Sequence, residues 1–216
     1  MCRRFSLFPS DDLFTRYGAT KTFEIKPRYN VAPGEDCPVV WKGEDGRQIS
    51  MMSWGILSGE RNVINIRQET LEQKKSFQDF IAEGRCLIPV TAFYEWKSTK
   101  IGKIPYLFYQ PNLPTLSLAG LWTRNELGSI EEFTVLTAKS DGEVSRVHNR
   151  MPLIIPKESE ELWLDGAENK ALSLLRALPK IKLRSHQVSP NVNDPENEGE
   201  NLVEPIIRTE DWKARE

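Results

Sequence analysis

The stretch SFQDFIAEGRCLIPVTAFYEWK (76–97) decides how the rest of the chain is read. Its first part carries a helical pattern that Ser76 opens and Gly84 stops. The apolar run that follows reads as a strand ending near Pro89, and the aromatic FYEWK at 93–97 as a second strand. Working outward, residues 106–109, 116–122 and 133–137 are further strands, rich in aromatic and β-branched side chains and separated by Gly, Pro and Asn. Upstream, 39–41 and 48–52 flank Gly-Glu-Asp-Gly and read as a hairpin. SDDLFTRYG (10–18) reads as a short helix with Ser10 as N-cap, Asp11 and Asp12 in the first turn and Gly18 past its end. Downstream come helices over 157–164 and 169–178, then a strand over 184–188. NVNDPENEGEN (191–201) is polar, acidic and turn-rich, and reads as a solvated loop. The pattern is one of many short strands with a few helices, without repeats.

A chain of 216 residues can bury one core, and with no linker in sight residues 1–216 read as a single domain. Its three cysteines, Cys2, Cys37 and Cys86, have no metal-ligand spacing, and the start MCRRFSLFPSDD has no long apolar run. No stretch approaches the length of a membrane span. The expectation is a cytoplasmic protein without structural disulfides, metal or cofactor. The net charge of −2 argues against a general polyanion binder, but the charge is uneven. Residues 1–156 carry +2 and residues 157–216 carry −4, which leaves room for a local basic groove.

Four clusters carry chemistry: CRRF at the start, INIRQET (64–70), FYEW (93–96) and VHNRMP (147–152). Removal of Met1 would leave Cys2 with an α-amine and a thiol on one residue, an aminothiol suited to capturing aldehydes; the two groups ordinarily titrate near 8 and 8.5. Strand alternation sends Glu95 to the face opposite Tyr94 and Trp96, either into solvent or into a cleft where a raised pKa would suit proton transfer. His148 is either an acid-base group or a structural imidazole. His186 reads as structural. Asn65 offers one oriented hydrogen bond or a turn. Arg4, Arg67 and Arg150 are candidate phosphate forks and Trp54 and Trp96 candidate stacking surfaces, unless they are surface charge and core aromatics.

Together these clusters, with RYNVAPG (28–34), WG (54–55), GRCLIPVTAFYEW (84–96), VSPNVND (188–194) and NLVEPI (201–206), resemble the SOS response-associated peptidase (SRAP) family from end to end. Arg3 stands where glycine is usual, Ile66 where a small residue is usual, and the segment after Trp54 is short. The resemblance implies an α+β fold with a β-barrel-like core of mostly antiparallel strands and a few peripheral helices. It also implies covalent capture of abasic sites in single-stranded DNA by a monomer, with replication-fork proteins as further partners. Cys2 would supply amine and thiol, Glu95 and His148 would move protons, and Asn65 would position the reacting groups. Arg4, Arg67 and Arg150 would hold phosphates, with Trp54 or Trp96 stacking near the missing base. The same site would also serve an N-terminal-nucleophile peptidase that processes its own leader or another protein, or an AP-lyase-like reaction. A non-covalent single-strand binding module would use the Arg and Trp residues and not Cys2.

Overall fold

All six residues of the strand Arg85–Val90 are buried, so this apolar run is covered on both faces. The strand ends at Val90, one residue past Pro89. At its start the buried Arg85 donates to the carbonyls of Ile81, Trp163 (2.5 Å) and Gly166 (2.6 Å). These carbonyls lie at the C-terminal ends of two helices, where unpaired oxygens and the helix dipole favour a cation.

The computed structural model describes residues 2–8, 12–19, 22–73, 78–124 and 131–206. The strands are β1 (Phe5–Leu7), β2 (Arg28–Val31), β3 (Asp36–Gly43), β4 (Gly46–Trp54), β5 (Ile56–Ser58), β6 (Arg61–Val63), β7 (Asn65–Arg67), β8 (Arg85–Val90), β9 (Ala92–Thr99), β10 (Gly102–Tyr109), β11 (Leu116–Arg124), β12 (Glu131–Lys139), β13 (Arg150–Pro152), β14 (Ile154–Ile155) and β15 (Arg184–Gln187). The helices are α1 (Leu13–Tyr17), α2 (Gln68–Gln73), α3 (Gln78–Glu83), α4 (Glu160–Asp165) and α5 (Glu168–Arg176). Every strand expected from the sequence is present, and the hairpin turns at Glu44–Asp45 between the paired Gly43 and Gly46.

In the larger sheet, β12–β4–β3–β8–β11 closes on itself because β11 pairs with both β8 and β12. The result is a mostly β, barrel-like ring with a few helices outside it. Most pairings are antiparallel, but β4 and β7 join β12 in parallel. A second, outer sheet, ordered β15–β10–β9–β1–β2, packs against one face of the ring. Val39, Met52, Cys86, Ile88, Leu118 and Phe133 meet Phe5, Val31, Phe93 and Phe108 there. The ring's other face packs against α1, α4 and α5 through Val40, Ile49, Leu87 and Leu136.

Two local expectations change. The N-cap of α1 is Asp12, whose carboxylate accepts from the Phe14 amide at 3.0 Å; Ser10 and Asp11 lie outside the described residues. Gly18 ends the helix in the left-handed region, as its position requires. The expected loop 191–201 is largely exposed, as read, but it is also a strap anchored by 3-10 turns at Pro190–Asn193 and Glu200–Leu202, each burying one apolar side chain, Val192 and Leu202. Glu198 receives hydrogen bonds from Arg28 and from the Tyr29 amide, each at 2.8 Å, and Val192 packs with Tyr94, Leu107 and Val188 on the outer sheet. Local composition could not reveal partners about 170 residues away.

Ring closure leaves no room at Gly120 of β11. A β-carbon there would lie 2.3 Å from Ile88 Cδ1 and 2.8 Å from the Thr134 carbonyl. Gly120→Ala should lower the urea midpoint, with a cost of about 1–3 kcal/mol from overpacking. An unchanged midpoint would show that the ring can open slightly there.

Candidate active site

Cys2 precedes β1 and is fully buried between the ring and the outer sheet. Its carbonyl accepts a hydrogen bond from Asn65 Nδ2 at 2.7 Å. Asn65 reaches it from β7, which β12 holds in parallel register. Asn65 Oδ1 is buried and has no hydrogen-bond partner among the described residues. A buried acceptor in this state is costly unless a donor arrives, and it sits on the amide that already grips residue 2.

Glu95, in β9, is 2% exposed, so its face is not solvent. Burial raises its carboxyl pKa from 4.5 to about 7, with Arg3 pulling the other way. Glu95 Oε2 lies 3.6 Å from His148 Nδ1. His148 follows the 3-10 turn Val144–Arg146, and its Nδ1 is 3.1 Å from both the amide nitrogen and the carbonyl oxygen of Arg150. The Arg150 backbone can therefore donate to Nδ1 when it is bare or accept from it when protonated, so a change of protonation state does not cost the ring its partner. Burial lowers the His148 pKa below its usual value. The Cys2 thiol moves the other way from the sequence expectation: burial, then the Glu95 charge, push it well above the ordinary range. At neutral pH this thiol is protonated, and it needs a base if it is to attack.

Above these groups opens a cleft of about 770 Å³, lined by Arg3, Arg4, Arg67, Lys103, Arg150 and by Glu95, Trp96, Ser98, His148, Asn149 and Asn193. Five cations face one carboxylate that is itself half neutral near pH 7, so the cleft attracts anions although the chain is net acidic. Arg67 is exposed at its rim. Arg4 donates to Asn30 Oδ1 at 3.3 Å, and the Trp96 indole N–H donates to Asn193 Oδ1 at 2.7 Å.

Two expected contacts are corrected by their surroundings. Trp54 is fully buried, its indole N–H bonded to the Ile64 carbonyl and its ring packed between Phe5 and Phe133, so it offers no face to a base. Arg150 borders the cleft, but its guanidinium is already forked onto Glu69 at 2.7 and 3.0 Å and bonded to the Thr137 carbonyl. Its fork is filled, and it fastens α2 beside His148. His186 is structural as read, 2.8 Å from the Val203 carbonyl.

Sequence reading missed Asn30 and Asn193. Asn30 is fully buried, accepts from Arg4, and donates from Nδ2 to the carbonyls of Asp194 and Asn197, each at 2.9 Å. It links the N-terminal arginine to the strap that walls the cleft. The available signal was Asn in a strand-like RYNVAPG run, a position where an amide needs buried partners.

The buried Cys2 under a basic cleft, with Asn65, Glu95 and His148 around it, coincides with a family match along most of the sequence. Residues 1–195 match the model for SOS response associated peptidases (SRAP), and the chain belongs to that family. It is 31% identical over 222 residues to abasic site processing protein YoqW of Bacillus subtilis, covering 94% of this chain and 99% of that one. It is 27% identical over 188 residues to abasic site processing protein YedK of Escherichia coli, covering 83% and 85% of the two chains. A crystal structure of a Bacteroides thetaiotaomicron protein superposes with a TM-score of 0.80 at 22% identity, covering 95% of this chain and 100% of that one, and shares its fold. Among the described residues no helix is long and apolar enough to cross a membrane.

The raised Glu95 pKa has a sign that stability can report. Because the folded state holds this proton more tightly than the unfolded chain, Glu95 makes folding less favourable as pH rises from about 4.5 to about 7, and its effect is level above that. Glu95→Gln should therefore gain stability relative to wild type across that interval, by up to about 3 kcal/mol at pH 8. Urea unfolding of both proteins at pH 4.5 and 8 checks it; a gap that does not widen with pH would place the carboxylate in water.

Proposed function

We propose that this protein captures abasic sites in single-stranded DNA covalently, with Cys2, exposed as the first residue by removal of Met1, as the nucleophile. The observation that carries the reading is the position of Cys2, sealed beneath a cationic cleft with its carbonyl held by Asn65 and its thiol within the field of Glu95. The names of the relatives YoqW and YedK, abasic site processing proteins, supply the substrate class.

The geometry orders the chemistry. The closed hemiacetal of the abasic sugar must first open, its hydroxyl losing a proton while the ring oxygen gains one; His148, with a backbone partner in either protonation state, suits this exchange. With the thiol held protonated, the amine attacks first, and loss of water leaves an imine. The sulfur then adds to the imine carbon, its proton passing through Glu95 to the nitrogen. The sum is aldehyde plus aminothiol giving thiazolidine plus water, with no cofactor. Asn65 Oδ1, without a partner among the described residues, supports a role for this amide in accepting from the attacking amine. Arg4 and Arg67 hold phosphates and Trp96 offers the stacking face.

Incubation with a single strand carrying one abasic site, followed by a denaturing gel and intact-mass spectrometry, tests this. Wild-type protein lacking Met1 should give a heat-stable adduct and Cys2→Ala none; an adduct formed with Met1 retained would remove the amine from the mechanism. Cys2→Ser should give an adduct that survives heating only after borohydride reduction, since its imine cannot close a stable ring.

Arg67 and Arg150 should separate under the same assay. Arg67→Ala should weaken binding to intact and abasic strands alike and lower the salt slope by about 0.7, one phosphate contact on a single strand. Arg150→Ala, whose fork is held by Glu69, should leave the slope unchanged and instead slow capture through a misplaced His148. A lower slope in Arg150→Ala would mean that DNA displaces Glu69.

A further inference from the structure

The hairpin of β9 and β10 leaves the body of the protein. β1 pairs with β9 only at Ala92 and Phe93, and β15 pairs with β10 only from Tyr106 to Tyr109. Beyond Trp96 and Pro105, the two strands pair only with each other, out to Thr99 and Gly102. From the Glu95 pair to the last pair the arm extends about 13 Å at 3.3 Å per residue. Two-stranded ribbons are marginal alone, so an exposed one needs local fastening. The tip has it: Thr99 Oγ1 donates to the Gly102 carbonyl at 2.7 Å and accepts from the Ile101 amide at 3.3 Å. The turn is set, and it holds Ile101 outward at 95% exposure, the most exposed large apolar side chain among the described residues.

The arm's charge is of one sign. From Trp96 to Tyr106 there are three lysines, Lys97, Lys100 and Lys103, and no acid, in a chain whose net charge is −2. The cross-strand pair Ser98 and Lys103 lines the cleft, Lys100 and Ile101 form the tip, and Lys97 is not among the cleft residues.

We propose that this arm is a second binding surface, which carries the single strand onward from the cleft on one side of the abasic site. Lys103 meets the backbone at the root, Lys100 meets it again at the tip, and Ile101 lies against an unstacked base. The polarity of the cleft continues along Ser98 and Lys103 without a break, and a cation beside an outward apolar group matches a strand that presents phosphates and bases together. The proposal rests on the DNA reading above and extends its footprint beyond the lesion.

Three oligonucleotides test it: one trimmed close to the abasic site, and two extended by about six nucleotides on the 5′ or the 3′ side, a length within single-strand site sizes. Wild-type protein should bind one of the extended strands more tightly than the trimmed one, and not the other. Lys100→Gln with Ile101→Ser should reduce that gain about five- to tenfold and lower the salt slope on that strand by about 0.7. Capture of the trimmed strand at saturation should be unchanged. Lys97→Gln makes the same change in net charge as Lys100→Gln and should have little effect.

Equal binding of all three strands, or an equal loss with Lys97→Gln, would overturn the arm's role while capture of the trimmed strand still stood. Failure of every strand to form an adduct would instead reject the underlying reading. Since all three substituted residues are exposed, matching thermal midpoints would show that the fold is not the cause of any loss.

Discussion

One strand, β12, sets where the chemistry can be. Its backbone pairs with β11 to close the ring and, along its other edge, with β4, β7 and β13 in turn. Register along that edge puts Asn65 beside Val135, Arg67 beside Thr137 and Arg150 beside Lys139. Two segments far apart in sequence, β7 and β13, are thus brought to one end of one strand by ladder hydrogen bonds, before any side chain contributes. The outer sheet then delivers Cys2, just ahead of β1, and Glu95 from β9, the two strands being neighbours in that sheet.

This arrangement accounts for the unusual protonation at the site. A ring packed on a sheet leaves a dry layer between them, and Cys2 lies in that layer while Glu95 lies at its margin, 2% exposed. Desolvation pushes both acids toward their neutral forms, and the thiol, deeper in, is pushed further. The carboxyl is left titrating at about 7 and the thiol well above its ordinary range, with the Glu95 charge adding to burial at the thiol. Nearby cations pull the carboxyl back, which keeps it from becoming a permanently neutral acid.

Strands, the β3–β4 turn and the chemically loaded positions were legible because their signals are local: alternation, glycine punctuation, and reactive side chains set in apolar runs. The tertiary role of a legible residue was not. Trp54 and Trp96 look alike in sequence, yet one fills the core and the other borders the cleft. Arg67 and Arg150 look alike too, yet Arg150's fork is filled by Glu69, 81 residues away, while Arg67 is exposed at the cleft. Asn30 and the strap were invisible for the same reason, since buried amides and acidic loops acquire meaning only from partners across the chain.

The strap also bears on how the protein is made. β9 and His148 leave the ribosome about 90 and 146 residues after Cys2, and the segment bonded to Arg4 follows later still. At translation speeds of about 5–20 residues per second, residue 2 waits on the order of ten seconds for its surroundings. During that interval its thiol has neither burial nor Glu95 to hold its proton. The nascent chain therefore keeps this thiol nearer its ordinary acidity until the last strand and the strap close over it.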